Sequence, residues 1–199
     1  FDTAFHHTLP AYAYLYGLPY ELYEKKGVRR YGFHGTSHHY VSLRAAQHLG
    51  RRPNELRIVS CHLGNGSSLC AIDHGRSVDT TMGFTPAEGL LMGTRCGDLD
   101  PGVPLYLLIA QKIPIQDLVR LLNSESGLLG LSGISADMRE LLRQESANPS
   151  AKLAVDVFSY SARKFIGAYA AALGGLDTLI FTAGVGENSA AIRHRICEG

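Results

Sequence analysis

The sequence predicts an α/β fold, with a small sheet in the first half of the chain and mostly helices after it. Two apolar runs, residues 56–61 and 69–72, have the composition of buried strands and are joined by a glycine-rich turn. Residues 78–83 are expected to add a third antiparallel strand. Beyond residue 103 the apolar residues mainly follow helical spacing.

The composition is that of an ordinary globular protein. The chain has 199 residues, of which 45% are hydrophobic and 19% charged, and its formal net charge is +1. This length allows one large domain or two small ones with a sizeable core. A net charge near zero gives no electrostatic footprint for nucleic acid or for an anionic membrane, so neither is expected as a partner.

Cysteine usage indicates the compartment. Cys61, Cys70, Cys96 and Cys197 lie far apart without a C-x-x-C motif, and the first two fall in apolar strand runs. This pattern favours reduced, mostly buried thiols in a cytoplasmic protein.

One long stretch, residues 165–186, has no Lys or Arg. It contains Asp177 and five glycines, and its pattern changes from helical to strand-like, so a membrane-spanning helix is not expected. The chain begins at Phe1 rather than Met and stops at Gly199 just after a predicted helix, so we expect a fragment.

Two helices are expected before the sheet. Residues 21–26 form a short helix with a glycine stop. A second helix is expected to be capped by Thr36 or Ser37 and to end near His48. His34 then lies just before the start of that helix, where unpaired backbone amides favour an anion.

His34, His38 and His39 allow a second interpretation, a zinc cluster. His34 lies outside the predicted helix, however, the segment has no H-E-x-x-H motif, and no cysteine is near. His38 and His39 are therefore expected to be packing or helix-surface residues, and a zinc-binding histidine protein remains an alternative.

The turn between the first two strands, residues 62–68, reads His-Leu-Gly-Asn-Gly-Ser-Ser. Glycines allow a ligand to approach the backbone closely, and Asn and Ser add neutral donors beside the exposed amides, a combination that suits phosphate oxygens. An ordinary glycine-rich hairpin turn is the competing interpretation.

The third strand is followed by an irregular, apolar segment, residues 84–102, of the kind that is usually functional. Arg95 lies among its glycines and is either an anion clamp or a cap for a backbone carbonyl. Helical periodicity then predicts four helices, at residues 103–112, 115–123, 136–144 and about 150–173.

The last predicted elements are a short strand at residues 176–182, a glycine turn over 183–189 and a helix. This arrangement directs backbone amides at a phosphate or a nucleoside. The turn lacks the Gly-Lys-Ser of a Walker loop, and one G-x-G is weak evidence alone.

Taken together, the motifs closely resemble the acetate kinase (acetokinase) family. The six matching stretches occur in the family's order, at residues 1–6, 31–38, 62–68, 93–102, 133–135 and 184–189. The resemblance implies an incomplete, ribonuclease H-like domain of the actin, sugar-kinase and heat-shock ATPase superfamily, a mixed sheet with flanking helices. It also implies that residues 1–15 join an absent N-terminal domain and that residues 16–199 form a C-terminal nucleotide-binding domain truncated at its end.

The family's activity is reversible phosphoryl transfer between ATP and acetate, giving acetyl phosphate and ADP. The resemblance implies that Asp2, His34 and Arg95 are catalytic and that Phe33 and Pro86 line the acetate methyl pocket. It further implies thirteen nucleotide-binding residues, namely His62, Leu63, Gly64, Asn65, Gly66, Asp137, Met138, Arg139, Gly184, Val185, Gly186, Glu187 and Asn188.

The resemblance also implies Mg²⁺ bound with ATP or ADP, and a cytoplasmic homodimer. The family's metal ligands lie largely outside this chain, so no metal site is expected within it, and Glu187 is not assigned that role. The isolated chain is expected to be inactive or nearly so. The alternatives are a propionate or butyrate kinase and a non-catalytic nucleotide-binding module of the same superfamily.

Overall fold

The computed structural model describes residues 1–198. Its centre is a four-stranded mixed sheet in the order β3-β2-β1-β4. The strands are β1 (Arg57–Leu63), β2 (Ser67–Asp73), β3 (Arg76–Thr80) and β4 (Thr178–Thr182). The first three are antiparallel neighbours, and β4 lies parallel to β1. The predicted α/β class, with a mixed sheet and flanking helices, is confirmed.

Ten helices surround the sheet within the described residues. They are α1 (Ala11–Tyr14), α2 (Tyr20–Lys26), α3 (Gly35–His48), α4 (Gly102–Ile109), α5 (Ile115–Ser124), α6 (Gly127–Ser132), α7 (Met138–Gln144), α8 (Pro149–Ala172), α9 (Ala183–Asn188) and α10 (Ala190–Cys197). Two short 3₁₀ helices occupy Ala4–Thr8 and Pro53–Glu55. Residues 84–100 contain only turns and bends, as the sequence predicted.

The two faces of the sheet are covered by different helices. Because side chains alternate along a strand, Val59, Cys61 and Leu63 of β1 face one side, where they join a core cluster with Phe158 of α8. Ile58 faces the other side, in a cluster with Ala46 of α3. Polar side chains at the even positions of β1 and β2 therefore project toward α3, the side on which the candidate site lies.

The start of α3 differs from the sequence prediction. Either Thr36 or Ser37 was expected to cap it, but the helix begins at Gly35 and its N-cap residue is His34, at φ 56°. A carboxylate from elsewhere in the chain replaces the expected hydroxyl: Oδ2 of Asp2 accepts the His34 N–H at 2.7 Å. The carbonyl of Asp2 accepts the Gly35 N–H at 2.8 Å. The helix is thus capped by Asp2, which is distant in sequence, and not by a hydroxyl within the helix's own first turn.

The predicted glycine turn after the last strand is also wrong. Residues 183–188 form the helix α9 directly after β4, and α10 follows with Ser189 as its cap. The chain changes direction at Ala183, which has a φ of 66°. A single left-handed residue therefore makes the reversal for which several turn residues were expected. The third strand, predicted at 78–83, occupies Arg76–Thr80 instead.

All four cysteines are free, and those at positions 61 and 70 are buried. Burial raises the pKa of Cys70 to about 12, so this thiol stays protonated. Within residues 1–198, no helix combines the length and the apolar character needed to cross a membrane.

Candidate active site

The first part of the site is the contact between Asp2 and the start of α3. The left-handed conformation of His34 allows two successive backbone amides to face Asp2. A Cβ added to Gly35 would lie 2.4 Å from the Asp2 carbonyl oxygen, so only glycine fits at this position. Asp2 is thereby held beside the imidazole of the next predicted catalytic residue.

The ring of His34 is fixed on two sides. It stacks on His62 with centroids 4.0 Å apart, and its Nδ1 lies 2.9 Å from Oγ of Ser68. Burial lowers the pKa of His34 to about 4, and the nearby His62 and Arg95 act in the same direction against the opposing charge of Asp2. His34 is therefore a neutral imidazole at physiological pH.

Arg95 approaches the same point from the irregular segment. A Cβ added to Gly66 would lie 3.2 Å from Nη1 of Arg95 and 3.6 Å from Nε2 of His34. Nη1 also donates to the carbonyl oxygen of Pro86 at 3.2 Å. Arg95 thus caps a backbone carbonyl, one of the two alternatives left open by the sequence, and its Nη1 also lies beside the glycine turn. His34 and Arg95 therefore both lie against the backbone of Gly66.

The irregular segment is held against the turn between β1 and β2. The Gly93 N–H donates to the carbonyl oxygen of Asn65 at 2.9 Å. A Cβ on Gly93 would lie 2.0 Å from Oδ1 of Asn65, so a side chain there would force the Asn65 side chain to move. This contact sets the position from which Arg95 reaches Gly66.

A cavity of about 1120 Å³ opens beside this turn. Eight of the thirteen predicted nucleotide-binding residues line it, namely Gly64, Asn65, Asp137, Met138, Arg139, Gly184, Val185 and Asn188. Six further lining residues were not predicted, namely Leu128, Ala136, Leu142, Arg143, Phe158 and Ser189. The volume is slightly above the roughly 300–1,000 Å³ typical of small-molecule sites, so the cavity has room for a sizeable organic ligand.

The other five predicted nucleotide residues lie outside the lining of this cavity. The Leu63 side chain is in the core and Gly66 lies beneath Arg95. His62 stacks on His34, and Gly186 is buried in α9. Glu187 accepts a hydrogen bond from the Thr182 hydroxyl at 3.1 Å.

At the cavity wall, Asp137 and Arg139 organise the start of α7. Oδ1 of Asp137 accepts the Arg139 N–H at 2.9 Å, and Nη2 of Arg139 lies 2.6 Å from Oδ2. Hydrogen bonds from Arg139 lower the pKa of Asp137 to about 2. The Asp137 carboxylate is therefore the helix cap, and the exposed guanidinium of Arg139 stands at the rim.

The two residues implied in the acetate pocket are each linked to a residue that was predicted to be catalytic. Phe33 precedes His34, and its carbonyl accepts from Nε2 of His6 at 2.9 Å. The Pro86 carbonyl accepts from Arg95. Both are partly buried on the side of the turn at which the histidine and the arginine meet.

The histidines do not form a zinc cluster. His38 is buried between the hydroxyls of Ser60 and Ser68, and His39 stacks on Phe5 at 4.9 Å. Across the described part of the chain, no three His, Cys, Asp or Glu side chains are grouped so that they could hold a metal ion.

A mixed sheet between helices, with the cavity at one end of its central strands, defines a domain of the actin, sugar-kinase and heat-shock ATPase type. The model of the Acetokinase family matches residues 1–199. The chain belongs to the acetokinase family, which confirms the resemblance carried by the six motifs.

Three comparisons show how close the relationship is. An acetate kinase of Caldicellulosiruptor bescii is 56% identical over 98% of this chain and 49% of its own length. The crystal structure of Porphyromonas gingivalis acetate kinase has a TM-score of 0.97 at 49% identity, covering 100% of this chain and 50% of that one. A propionate kinase from Francisella tularensis has a TM-score of 0.94 at 45% identity, covering 98% of this chain and 50% of its own. The chain spans about half the length of the curated relatives it matches.

Proposed function

We propose that this chain is the nucleotide-binding half of an enzyme that transfers a phosphoryl group reversibly from ATP to acetate, giving acetyl phosphate and ADP. The observation that carries the proposal is the convergence of His34 and Arg95 on the backbone of Gly66. The names of the curated relatives support the choice of acetate. Under this proposal, residues 1–15 form a junction and residues 16–199 the nucleotide-binding domain.

The cavity and the convergence point are continuous through one turn. Gly64 and Asn65 line the cavity, and Gly66 comes next in the chain, under the side chains of His34 and Arg95. A nucleotide bound in the cavity would therefore place its terminal phosphate at Gly66. Asp137, Arg139 and the α9 residues Gly184, Val185 and Asn188 would flank the rest of the nucleotide.

The chemistry suits these groups. In phosphoryl transfer the protein mainly positions the reactants and neutralises charge on the three equatorial oxygens. Arg95 supplies a permanent charge, and His34 supplies a neutral imidazole whose Nε2 faces the same point. Each group favours the transition state only if it is in place beforehand, and the contacts of Arg95 with Pro86 and of His34 with Ser68 hold them there.

Asp2 is the carboxylate that accepts the His34 N–H, and it is suited to act as an acid or base or to orient a magnesium-bound water whose metal ligands lie largely outside this chain. Mg²⁺ usually takes one or two protein carboxylates plus phosphate oxygens, and it would neutralise charge on the nucleotide. With one oxygen of Asp2 committed to the His34 N–H, the other is free of that hydrogen bond. A cytoplasmic homodimer remains part of the proposal on the resemblance alone.

A propionate kinase is the second candidate, because a structure with that name matches at a TM-score of 0.94. An alkyl pocket separates acetate from propionate by about 1–3 kcal/mol, so the shared fold does not decide between them. The test is kcat/KM for acetate, propionate and butyrate in the full-length protein that carries this chain. We expect acetate to be preferred; a preference for propionate would establish the second candidate. Absence of acyl phosphate with all three would leave a non-catalytic nucleotide-binding module.

We also propose that residues 1–199 alone form little or no acetyl phosphate. About half of each relative's length has no counterpart in this chain, and substrate-binding groups are expected there. Weak binding of ADP by the isolated chain is compatible with this proposal, whereas measurable acetyl phosphate formation would contradict it.

A further inference from the structure

Behind His34 lies a row of buried hydrogen bonds that the proposed chemistry does not yet use. Oγ of Ser60 is 2.5 Å from Nδ1 of His38, and Nε2 of His38 is 2.8 Å from Oγ of Ser68. Oγ of Ser68 is in turn 2.9 Å from Nδ1 of His34. Ser60, His38 and Ser68 are fully or almost fully buried. The row therefore runs from the sheet interior to the ring that faces Gly66.

The fold explains how these groups meet. Ser60 lies at an even position of β1 and Ser68 at an even position of β2, so both project toward α3. His38 is one helical turn after His34 on α3, so its ring lies between the two strands. No acidic side chain takes part in the row, and burial lowers the pKa of His38 well below its ordinary value. Both imidazoles are therefore neutral, with one N–H each.

If every hydrogen bond in this row has one donor and one acceptor, the three bonds can run in only two directions. In the first, Ser60 donates to His38 Nδ1, His38 Nε2–H donates to Ser68, and Ser68 donates to His34 Nδ1. In the second, every direction is reversed, and His34 uses its proton to reach Ser68. Within residues 1–198 the Ser60 hydroxyl has no hydrogen-bond partner other than His38, so the second order leaves its proton buried without an acceptor.

We infer that Ser68 and His38 are positioning residues that hold the proton of His34 on Nε2, the nitrogen facing Gly66. In this tautomer His34 is a hydrogen-bond donor to a phosphoryl oxygen. The reversed order would present a lone pair to that oxygen and repel it. The tautomer follows from the hydrogen bonds and the burial of these side chains, and its effect on catalysis rests on the proposed function.

The tautomer can be measured without turnover. In the full-length protein, selective ¹⁵N labelling of histidine separates Nδ1–H from Nε2–H by chemical shift, and a His34→Gln variant assigns the signals. We expect a protonated Nε2 and an unprotonated Nδ1 for His34 in the wild type, and a mixture in Ser68→Ala. A wild-type His34 protonated on Nδ1 would overturn the inference, whether or not the protein makes acetyl phosphate.

Steady-state kinetics test whether the tautomer of His34 affects phosphoryl transfer. For Ser68→Ala we expect kcat to fall about five- to tenfold, the effect of weakening one oriented hydrogen bond, with the KM for ATP changed by less than about twofold. Ser68→Thr, which keeps the hydroxyl, should recover most of the loss. Ser42→Ala is the matched control, because Ser42 is a buried serine of α3 whose hydroxyl donates to the carbonyl of His39, away from the row. Equal kcat values for Ser68→Ala and Ser42→Ala would contradict the inference. A wild type without acyl phosphate formation would instead contradict the proposed function.

Discussion

The rings of His34 and His62 stack with their centroids 4.0 Å apart and their planes 21° from parallel. Each ring is held from behind by a serine hydroxyl: Ser68 lies 2.9 Å from Nδ1 of His34, and Ser37 lies 2.8 Å from Nδ1 of His62. Two stacked imidazoles cannot both be charged without repulsion, and burial lowers the pKa of both. The pair forms a neutral wall beside the charged Arg95.

This arrangement predicts how stability depends on pH. The pKa values of His6, His34, His38 and His62 are all lowered, chiefly by burial. An unfolded imidazole takes up a proton near pH 6.5, whereas these folded ones do so only at lower pH. The unfolded state therefore binds more protons as the pH falls below about 6.5, and the free energy of unfolding decreases.

The measurement is the urea midpoint at pH 7, 6 and 5. A fully buried histidine such as His38 contributes about 1.4 kcal/mol per pH unit in this window. Because desolvation raises the pKa values of the Asp79 and Asp98 carboxyl groups, which act in the opposite direction, the slope is best compared between variants. We expect a shallower slope in His38→Gln and the wild-type slope in His48→Gln, at an exposed position. Equal slopes in the two variants would show that His38 does not contribute to the loss of stability at low pH.

Replacing Arg95 tests the proposed charge stabilisation. We expect Arg95→Ala to lower kcat about a thousandfold in the full-length protein, as removal of a transition-state arginine does in phosphoryl transfer. Arg44→Ala is the control, because Arg44 is exposed on α3 and its guanidinium donates to the neighbouring side chain of Gln47. That variant should keep its turnover and lose no more than about 0.5 kcal/mol of stability. Near-normal turnover in Arg95→Ala would leave the arginine as a carbonyl cap.

A methyl group on Gly66 tests the convergence itself. In Gly66→Ala the new Cβ would lie 3.2 Å from Nη1 of Arg95, so the guanidinium must shift by a few tenths of an ångström. We expect kcat to fall at least about tenfold, because small misplacements at a reacting centre are costly. Gly167→Ala, on an exposed face of α8 with nothing within 4 Å, should leave kcat unchanged and stabilise the helix slightly. Equal turnover in both would show that Gly66 is not the meeting point.

The cavity can be tested by filling it. Gly184 lines the cavity, and a Cβ at this position would meet nothing within 4 Å, so a side chain can begin there without a backbone clash. We expect Gly184→Leu to weaken ADP binding at least about tenfold in isothermal titration calorimetry while the thermal midpoint stays near that of the wild type. Gly167→Leu, away from the cavity, should bind ADP normally. Undiminished ADP binding by Gly184→Leu would mean that the nucleotide binds elsewhere.

Much of the fold was predictable because its signals are local. The strand runs of β1 and β2, the long helix α8 and the glycine that ends α2 follow from composition and periodicity. The α3 cap was not predictable, because its acceptor is Asp2, a residue 32 positions away from His34. The reversal at Ala183 was missed for a different reason, since alanine is a residue from which a left-handed conformation is rarely expected.

The residues of the candidate site also divide into those with a local sequence signal and those without one. His34 was found because a histidine before a helix start is a local signal, and Arg95 because it lies among glycines. Phe158 of α8 and Leu128 of α6 were missed as cavity residues, because on a helical wheel they are indistinguishable from ordinary core positions. No signal in the sequence pairs Ser60 with His38. Only the register of β1 against β2 and the packing of α3 bring them together.

The pairing of β1 with β4 joins backbone segments about 120 positions apart, as in the contact between Arg57 and Asp177. One wall of the cavity comes from the turn after β1 and another from α9 directly after β4. During translation the first wall leaves the ribosome long before the second exists. Closing so large a loop is slow, so ligand-binding capacity should arise as one of the last events of folding, after the β1–β2 hairpin and α3 have already come together.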